Sequence, residues 1–262
     1  MKIYLSGYLT QKNYLWDRIK EIKYWLNAFS ELFNRKNLEA ELWLVEDMFL
    51  DSGWYSIRMR GLDLSLNDYI KYINKRWDKY TAIANMDTAD VQETLNNHKI
   101  LEKETGRKII PVYHASDYFE WNKELFETYC KEYDYVAIWW VAWVKLSPAR
   151  LINYLNFIFT TAIKYKTKIH WFGITSHKLL MKYPFYSVDS TSWLQWVKFN
   201  TITYFERWKL KKTQASNYRK RFGIDLAKLP YWEKCYRNLQ SWLLYNDYIT
   251  KLHKAKWMEY RN

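Results

Sequence analysis

Short apolar runs that stop at a polar, turn-forming residue recur along this chain. Met48, Phe49 and Leu50 lead into Asp51, Ser52 and Gly53; Ala82, Ile83 and Ala84 lead into Asn85, Met86 and Asp87; Phe185, Tyr186, Ser187 and Val188 lead into Asp189. Runs of this length read as buried parallel strands. Further strands are predicted over 2–5, 80–86, 108–113 (with His114 at its end), 135–141, 168–172 (with Gly173 at its end) and 201–205. Helical spacing fills the intervals. Leu15, Ile19, Ile22, Leu26, Phe29 and Phe33 predict a helix over 15–33, and Asn67 is the expected cap of another carrying Tyr69, Ile70, Ile73 and Trp77. A helix over 90–105 should stop at Gly106, and one is expected over 118–133. Ser147-Pro148 opens a helix to about 165 in the favoured order of cap and first-turn proline. A short helix is expected over 176–182.

Strand and helix therefore alternate almost throughout, which is the pattern of βα units. Seven or eight strands in 262 residues suit an α/β, TIM-type (β/α)8 barrel. Neither GxGxxG after the first strand nor GxxxxGK[ST] is present, which argues against a nucleotide-binding doubly wound sheet. The barrel is assigned to 1–206 and a helical C-terminal extension, packed on it, to 207–262. In that extension Leu226, Leu229, Trp232, Tyr236, Leu239 and Leu243 form an apolar stripe, with Pro230 near its start. In a parallel barrel the residues just past the strand ends share one mouth, so aspartates distant in sequence can converge on one substrate.

Charge sharpens this picture. Of the net +13, the stretch from Arg207 onward contributes 14 Lys or Arg against 4 Asp or Glu, a net +10. A basic tail on a near-neutral body points to a polyanionic partner, most often nucleic acid, although a solvated helical face has the same signature. Lys209, Lys211, Lys212, Arg219, Lys220 and Arg221 form its densest cluster and are the candidate backbone contacts. The 16 Trp and 24 Tyr are mostly core material, with a minority able to stack bases. Cys130 and Cys235 lack CxxC partners and suit a reducing cytoplasm. No basic-apolar leader opens the chain, and its densest apolar run, 136–144, is too short for a bilayer, which needs about 20 residues; no membrane partner is expected. No three- or four-ligand metal set is visible.

The ordered series Leu50-Asp51-Ser52-Gly53, Asn85-Met86-Asp87, Pro111-Val112-Tyr113-His114, Ala137-Ile138, Ile169-His170-Trp171-Phe172-Gly173-Ile174 and Ser187-Val188-Asp189-Ser190-Thr191-Ser192-Trp193 resembles the tRNA-guanine transglycosylase superfamily. It is most similar to the short, phage-type members that resemble DNA 7-deazaguanine transglycosylases, and it covers roughly 45–205. The resemblance implies a barrel enzyme that exchanges guanine in a polynucleotide for a 7-deazaguanine, without a cofactor. It places Asp189 on the family's nucleophile, Asp51 on its general acid/base, Asp87 on the aspartate that reads the purine edge, and His114 where a polar base contact is usual. Ser52, Gly53, Phe172 and Gly173 complete the implied base pocket. Trp139-Trp140 stand where the family often has a glycine pair, and Trp54 and Tyr55 replace smaller residues, so the implied pocket has a different shape. The cysteine-rich zinc site of the tRNA enzymes is absent, which favours DNA over tRNA.

The chemistry suits these residue types. A carboxylate beneath C1′ stabilises an oxocarbenium-like state and can bond to the sugar, as in retaining glycosidases. A second carboxyl must protonate the departing base, a step worth about 10²–10⁴-fold. On the residues alone, Asp51 also fits a plain turn, Asp87 and Asp189 also fit helix caps, and His114 also fits a backbone contact. His170 reads as a core residue, and His98, His177 and His253 as surface residues. The alternatives are the same exchange on tRNA, a catalytically idle nucleic-acid-binding barrel, and an unrelated barrel hydrolase.

Overall fold

The computed structural model describes residues 1–7, 21–32, 45–119, 122–139 and 147–256. Eight parallel strands form one curled sheet: β1 (Lys2–Ser6), β2 (Tyr24–Ala28), β3 (Asp47–Asp51), β4 (Ala82–Ile83), β5 (Val112–His114), β6 (Tyr135–Trp139), β7 (Lys168–Trp171) and β8 (Ser187–Ser190). Their order is β4-β3-β2-β1-β8-β7-β6-β5. The outermost strands meet through a parallel bridge between Ala84 and Ile110. There the Asn85 N–H donates to the Ile110 carbonyl at 3.0 Å and the Ile110 N–H to the Ile83 carbonyl at 2.8 Å. The result is a barrel-like α/β architecture.

Alternation along the strands sorts two cores. Tyr4, Leu26, Phe49, Ala82, Val112 and Ala137 face one another inside the curl. Their neighbours Ile3, Leu5, Trp25, Met48, Leu50, Val136 and Ile138 face outward under the helices. Those helices include α1 (Phe29–Leu32), α2 (Trp54–Arg60), α3 (Leu66–Arg76), α4 (Val91–Thr105), α5 (Ala115–Phe119), α6 (Lys123–Glu132), α7 (Pro148–Tyr165), α8 (His177–Lys182) and α9 (Ser192–Gln195). Asp90 caps α4 by accepting from the Glu93 N–H at 2.8 Å, and Gly106 ends it at φ 61°. Ser147 caps α7 with Pro148 in its first turn.

Several expectations need correction. The helix expected over 15–33 contains strand β2: pairing on both sides, with β1 and β3, overrides the helical spacing. Ile22, Leu26 and Phe29 are buried all the same, but ahead of β2, within it and at the start of the short α1 rather than on the face of one helix. Leu15, Ile19 and Phe33 lie outside the described residues. Ser65, not Asn67, caps α3, because Ser65 and Asp68 form a reciprocal capping box. The helix expected over 118–133 is two, α5 and α6. The 135–141 strand is described as far as Trp139, and the rest of the apolar run to 144 lies outside the described residues. His98 and His253 are buried, not on the surface: His98 bonds to the Tyr133 hydroxyl at 2.8 Å and His253 Nε2 donates to the Leu180 carbonyl at 2.6 Å.

After β8 the chain forms an antiparallel hairpin, β9 (Thr201–Glu206) and β10 (Lys209–Gln214), then α10 (Ala215–Phe222) and the long α11 (Tyr231–Lys256). Position 206/207 lies at the turn of this hairpin. The face that α11 buries carries Cys235, Leu239, Trp242, Tyr245 and Ile249, while Trp232 of the expected stripe is 40% exposed. Asn246 and Thr250 bond to backbone at Ile3 and Met1, so α11 lies alongside β1. Among the described residues no helix is long and apolar enough to cross a membrane.

Candidate active site

The C-terminal ends of β3, β4, β6, β7 and β8 border one cleft of about 170 Å³. Asp51, Asp87 and Asp189 all line it. Trp54, Tyr55, Trp139 and Phe172 form its walls, and Gly53 and Gly173 bring backbone to it.

Asp51 is the last residue of β3. Gly53, two residues on, turns the chain into α2 at φ 66°. A Cβ there would lie 2.3 Å from Ser30 Oγ, so both conformation and space demand glycine. Asp87 sits in the loop after β4. That loop is tied to α4: the Asn85 side chain donates to the Thr94 carbonyl at 2.9 Å, the Thr88 N–H to Thr94 Oγ1 at 2.8 Å, and the Asn97 side chain to the Met86 carbonyl at 3.0 Å. Asp189 lies within β8, opposite Tyr4 of β1. Its Oδ1 accepts from the Gly173 N–H at 2.6 Å and its Oδ2 from Ser6 Oγ at 3.3 Å. Gly173 has φ 73°, which suits a residue that must aim its amide inward.

The three acids are electrically unequal. Burial pushes the Asp51 carboxyl up to about 8, and the Asp87 carboxylate adds to the rise. The Gly53 amide pulls it back, and Asp189 contributes a smaller upward push. Asp51 is therefore mostly protonated at neutral pH and can donate a proton. Asp87 is bonded to His114 Nε2 at 2.8 Å. Burial alone would lower the His114 imidazole, but the Asp87 bond and charge and the Asp117 charge outweigh it, and the net shift is upward. Asp117 also accepts from the His114 N–H at 3.0 Å, so it holds the backbone as well.

Two expected base contacts fall elsewhere. His114 stands behind Asp87 rather than lining the cleft, and it meets the edge of Trp139 with ring centroids 5.1 Å apart. Ser52 is fully buried, and its hydroxyl accepts from the Trp54 N–H at 3.3 Å, so it shapes the turn. Ser52 follows the inward Asp51 and so points to the opposite face, whereas His114 shares the inner face of β5 with Val112 but is screened from the cleft by Asp87 and Trp139. Trp140 lies outside the described residues.

Of the cluster read as backbone contacts, Lys209, Lys211 and Lys212 lie on β10 and Arg219, Lys220 and Arg221 on α10. Lys211 and Arg221 both pair with Glu206, and Arg219 lies 3.5 Å from Asp225.

His170 carries more than its sequence position suggests. It is fully buried inside the curl, with Nδ1 2.6 Å from Ser187 Oγ, which is 2.5 Å from the Tyr135 hydroxyl. Its Nε2 has no hydrogen-bond partner and lies 3.8 Å from Asp189 Oδ1. Burial lowers the imidazole despite that carboxylate, keeping it neutral. The signal available in the sequence was the two-residue alternation that puts His170, Ser187 and Asp189 on one face. Among the described residues no group of three or more His, Cys, Asp or Glu is arranged to hold a metal ion.

No protein-family model, no curated protein and no solved structure matches this chain.

Proposed function

We propose that this chain is a base-exchange glycosyltransferase of the guanine transglycosylase type, a pentosyltransferase that replaces guanine in DNA with a 7-deazaguanine. In this reading the curled sheet is a TIM-type (β/α)8 barrel and the cleft is its catalytic mouth. The observation that carries the proposal is the meeting of Asp51, Asp87 and Asp189, from three distant strands, in one small cleft with one acid protonated and another held by an amide donor.

Asp189 attacks C1′, forming an ester-like Oδ–C1′ bond as the C1′–N9 bond breaks. The electron pair leaves with the purine, and Asp51 supplies the proton that neutralises it. The incoming 7-deazaguanine returns a proton to Asp51 as its N9 attacks C1′ and displaces Asp189. Asp87, oriented by His114, accepts from the N1–H and exocyclic amine of either ring. Trp139 and Phe172 supply apolar faces for it. A nucleotide in duplex DNA must first leave the stack, at a cost of a few kcal/mol, which phosphate contacts to the basic extension offset.

The test is release of labelled guanine from DNA and from tRNA, each in the presence of a panel of 7-deazaguanines. Release from DNA, lost in Asp189→Asn along with any covalent protein–DNA adduct, is the expected result. Release from tRNA alone moves the substrate to RNA. Release from neither, with DNA still bound, leaves the idle binding barrel as the reading.

A further inference from the structure

Among the described residues a second cavity, larger than the cleft, lies at the opposite end of the barrel-like sheet. About 410 Å³ of space opens where β1, β3, β4, β6 and β7 begin, away from the three aspartates. That volume falls within the range of small-molecule sites, about 300–1,000 Å³. Four cations surround it, each held against an aromatic face. The Arg107 guanidinium lies 3.3 Å from the Trp77 ring centre, Lys108 Nζ 5.3 Å from that of Tyr133, and Lys168 and Lys2 5.3 Å and 5.1 Å from that of Tyr186. Contacts of this kind orient cations without neutralising them.

The acids at the same site cancel only part of this charge, since Asp47 pairs with Lys2 and Asp134 with Lys168. Asp47 accepts from Tyr4 at 2.8 Å and also from Lys2 and Thr81, so its carboxylate is already well occupied. Asp134, 3.8 Å from Lys168, has a side chain 74% exposed, so its pull on that lysine is weakened by solvent screening. Four cations against two acids leave a net positive rim. Ala82, Ile83 and Ile110 add apolar side chains to the cavity lining, against which a planar ring can rest.

We propose that this cavity is a second binding site, for a phosphorylated nucleoside: the phosphate meets Arg107, Lys108 and Lys168, and the ring lies against these apolar side chains. The site is independent of the chemistry at the mouth.

Calorimetric titration of the full chain with adenosine monophosphate tests it, with inorganic phosphate as competitor and adenosine as the uncharged control. Saturable binding of the nucleotide, competition by phosphate, and adenosine at least tenfold weaker are expected. Lys108→Glu, at an exposed position, and Arg107→Gln should each weaken the nucleotide by about tenfold or more, the usual loss for one charged contact. Asp51→Asn, at the mouth, should leave it within about twofold. No saturable binding at millimolar nucleotide, binding untouched by both cation variants, or binding abolished by Asp51→Asn would each overturn the proposal.

Discussion

At Gly53 two requirements coincide: a φ of 66°, and a missing Cβ that would otherwise sit 2.3 Å from Ser30 Oγ. The conformation alone costs an alanine about 1–2 kcal/mol, and overpacking adds about 1–3. Gly53→Ala should therefore destabilise by about 2–4 kcal/mol, read as a lower urea midpoint at unchanged slope. Two residues earlier, the Asp51 side chain is kept protonated up to about pH 8. Below about pH 4 the folded and unfolded chains both hold this proton, and Asp51 costs nothing. Above that the unfolded carboxyl ionises while the folded one does not, so stability falls with rising pH until about 8 and then levels. With each unit worth about 1.4 kcal/mol, and allowing for the partial exposure of the side chain, Asp51→Asn should stabilise by about 2–4 kcal/mol at pH 8 and by almost nothing at pH 4. Urea titrations at the two pH values measure this, and an equal gain at both would refute the assignment. Under the proposed chemistry, guanine release by the parent should fall above about pH 8, and the same substitution should lower release by about 10²–10⁴-fold and leave what remains without that fall.

Strand register, rather than any single residue, builds the support of Asp189. Ala137, His170, Ser187 and Lys2 lie side by side across β6, β7, β8 and β1. This places Tyr135, Ser187 and His170 in one chain of polar groups that ends near Asp189. All donors can point one way: Tyr135 to Ser187, Ser187 to Nδ1, and Nε2–H toward the carboxylate. Catalytic hydrogen bonds are often long before substrate binds. Under the proposed chemistry, Ser187→Ala should lower the rate of guanine release by about tenfold with little change in KM, because it frees the tautomer of His170 without touching the base. Nitrogen NMR of His170 should show Nε2 protonated in the parent; an Nδ1–H tautomer there would refute this arrangement. Register is also where the sequence stops being legible. The three aspartates could be found because each closes an apolar run, and the cap at Ser147 because its hydrogen bond is local, whereas the cap of α4 is Asp90 and not Asp87. The turn role of Ser52, the bond of His114 to Asp87, and the core role of His98 depend on which way a side chain points after the fold closes. Strand β2 was hidden for the same reason: Ile22, Leu26 and Phe29 are buried in either conformation, and only the neighbours β1 and β3 decide between them.

The molecule joins its cleft to its basic extension through one line of contacts. The Trp193 indole N–H donates to the Ser6 carbonyl at 2.9 Å, at the end of β1. The Trp193 carbonyl in turn accepts from Asn238 at 2.8 Å, and Asn238 accepts from the Thr203 N–H at 2.7 Å. The base of the hairpin is thereby tied to the mouth end. Its tip is farther away: Trp208 stacks on Tyr248, with ring centroids 5.3 Å apart, ten residues or about 15 Å further along α11. The basic strand β10 therefore runs along the flank of the barrel-like body, and a bound duplex would follow that flank up to the cleft. Under the proposed function, charges already paired there should contribute less to phosphate binding than the others. Lys211 and Arg221 share Glu206, so removing either one leaves that carboxylate partnered and changes the field only modestly. Lys209 and Lys220 are exposed and belong to none of these pairs. Each phosphate neutralised on duplex DNA contributes about 0.9 to the slope of log affinity against log salt. Replacing Lys209 and Lys220 together by Gln should flatten that slope by up to about 2 units. Replacing Lys211 alone should flatten it by less than about 0.5, since Glu206 screens that position before DNA arrives. Fluorescence anisotropy of labelled duplex over a salt series gives both slopes. A parent slope near zero, or equal flattening by the two sets of substitutions, would remove the flank from the binding path and leave the cleft to take its nucleotide from another direction.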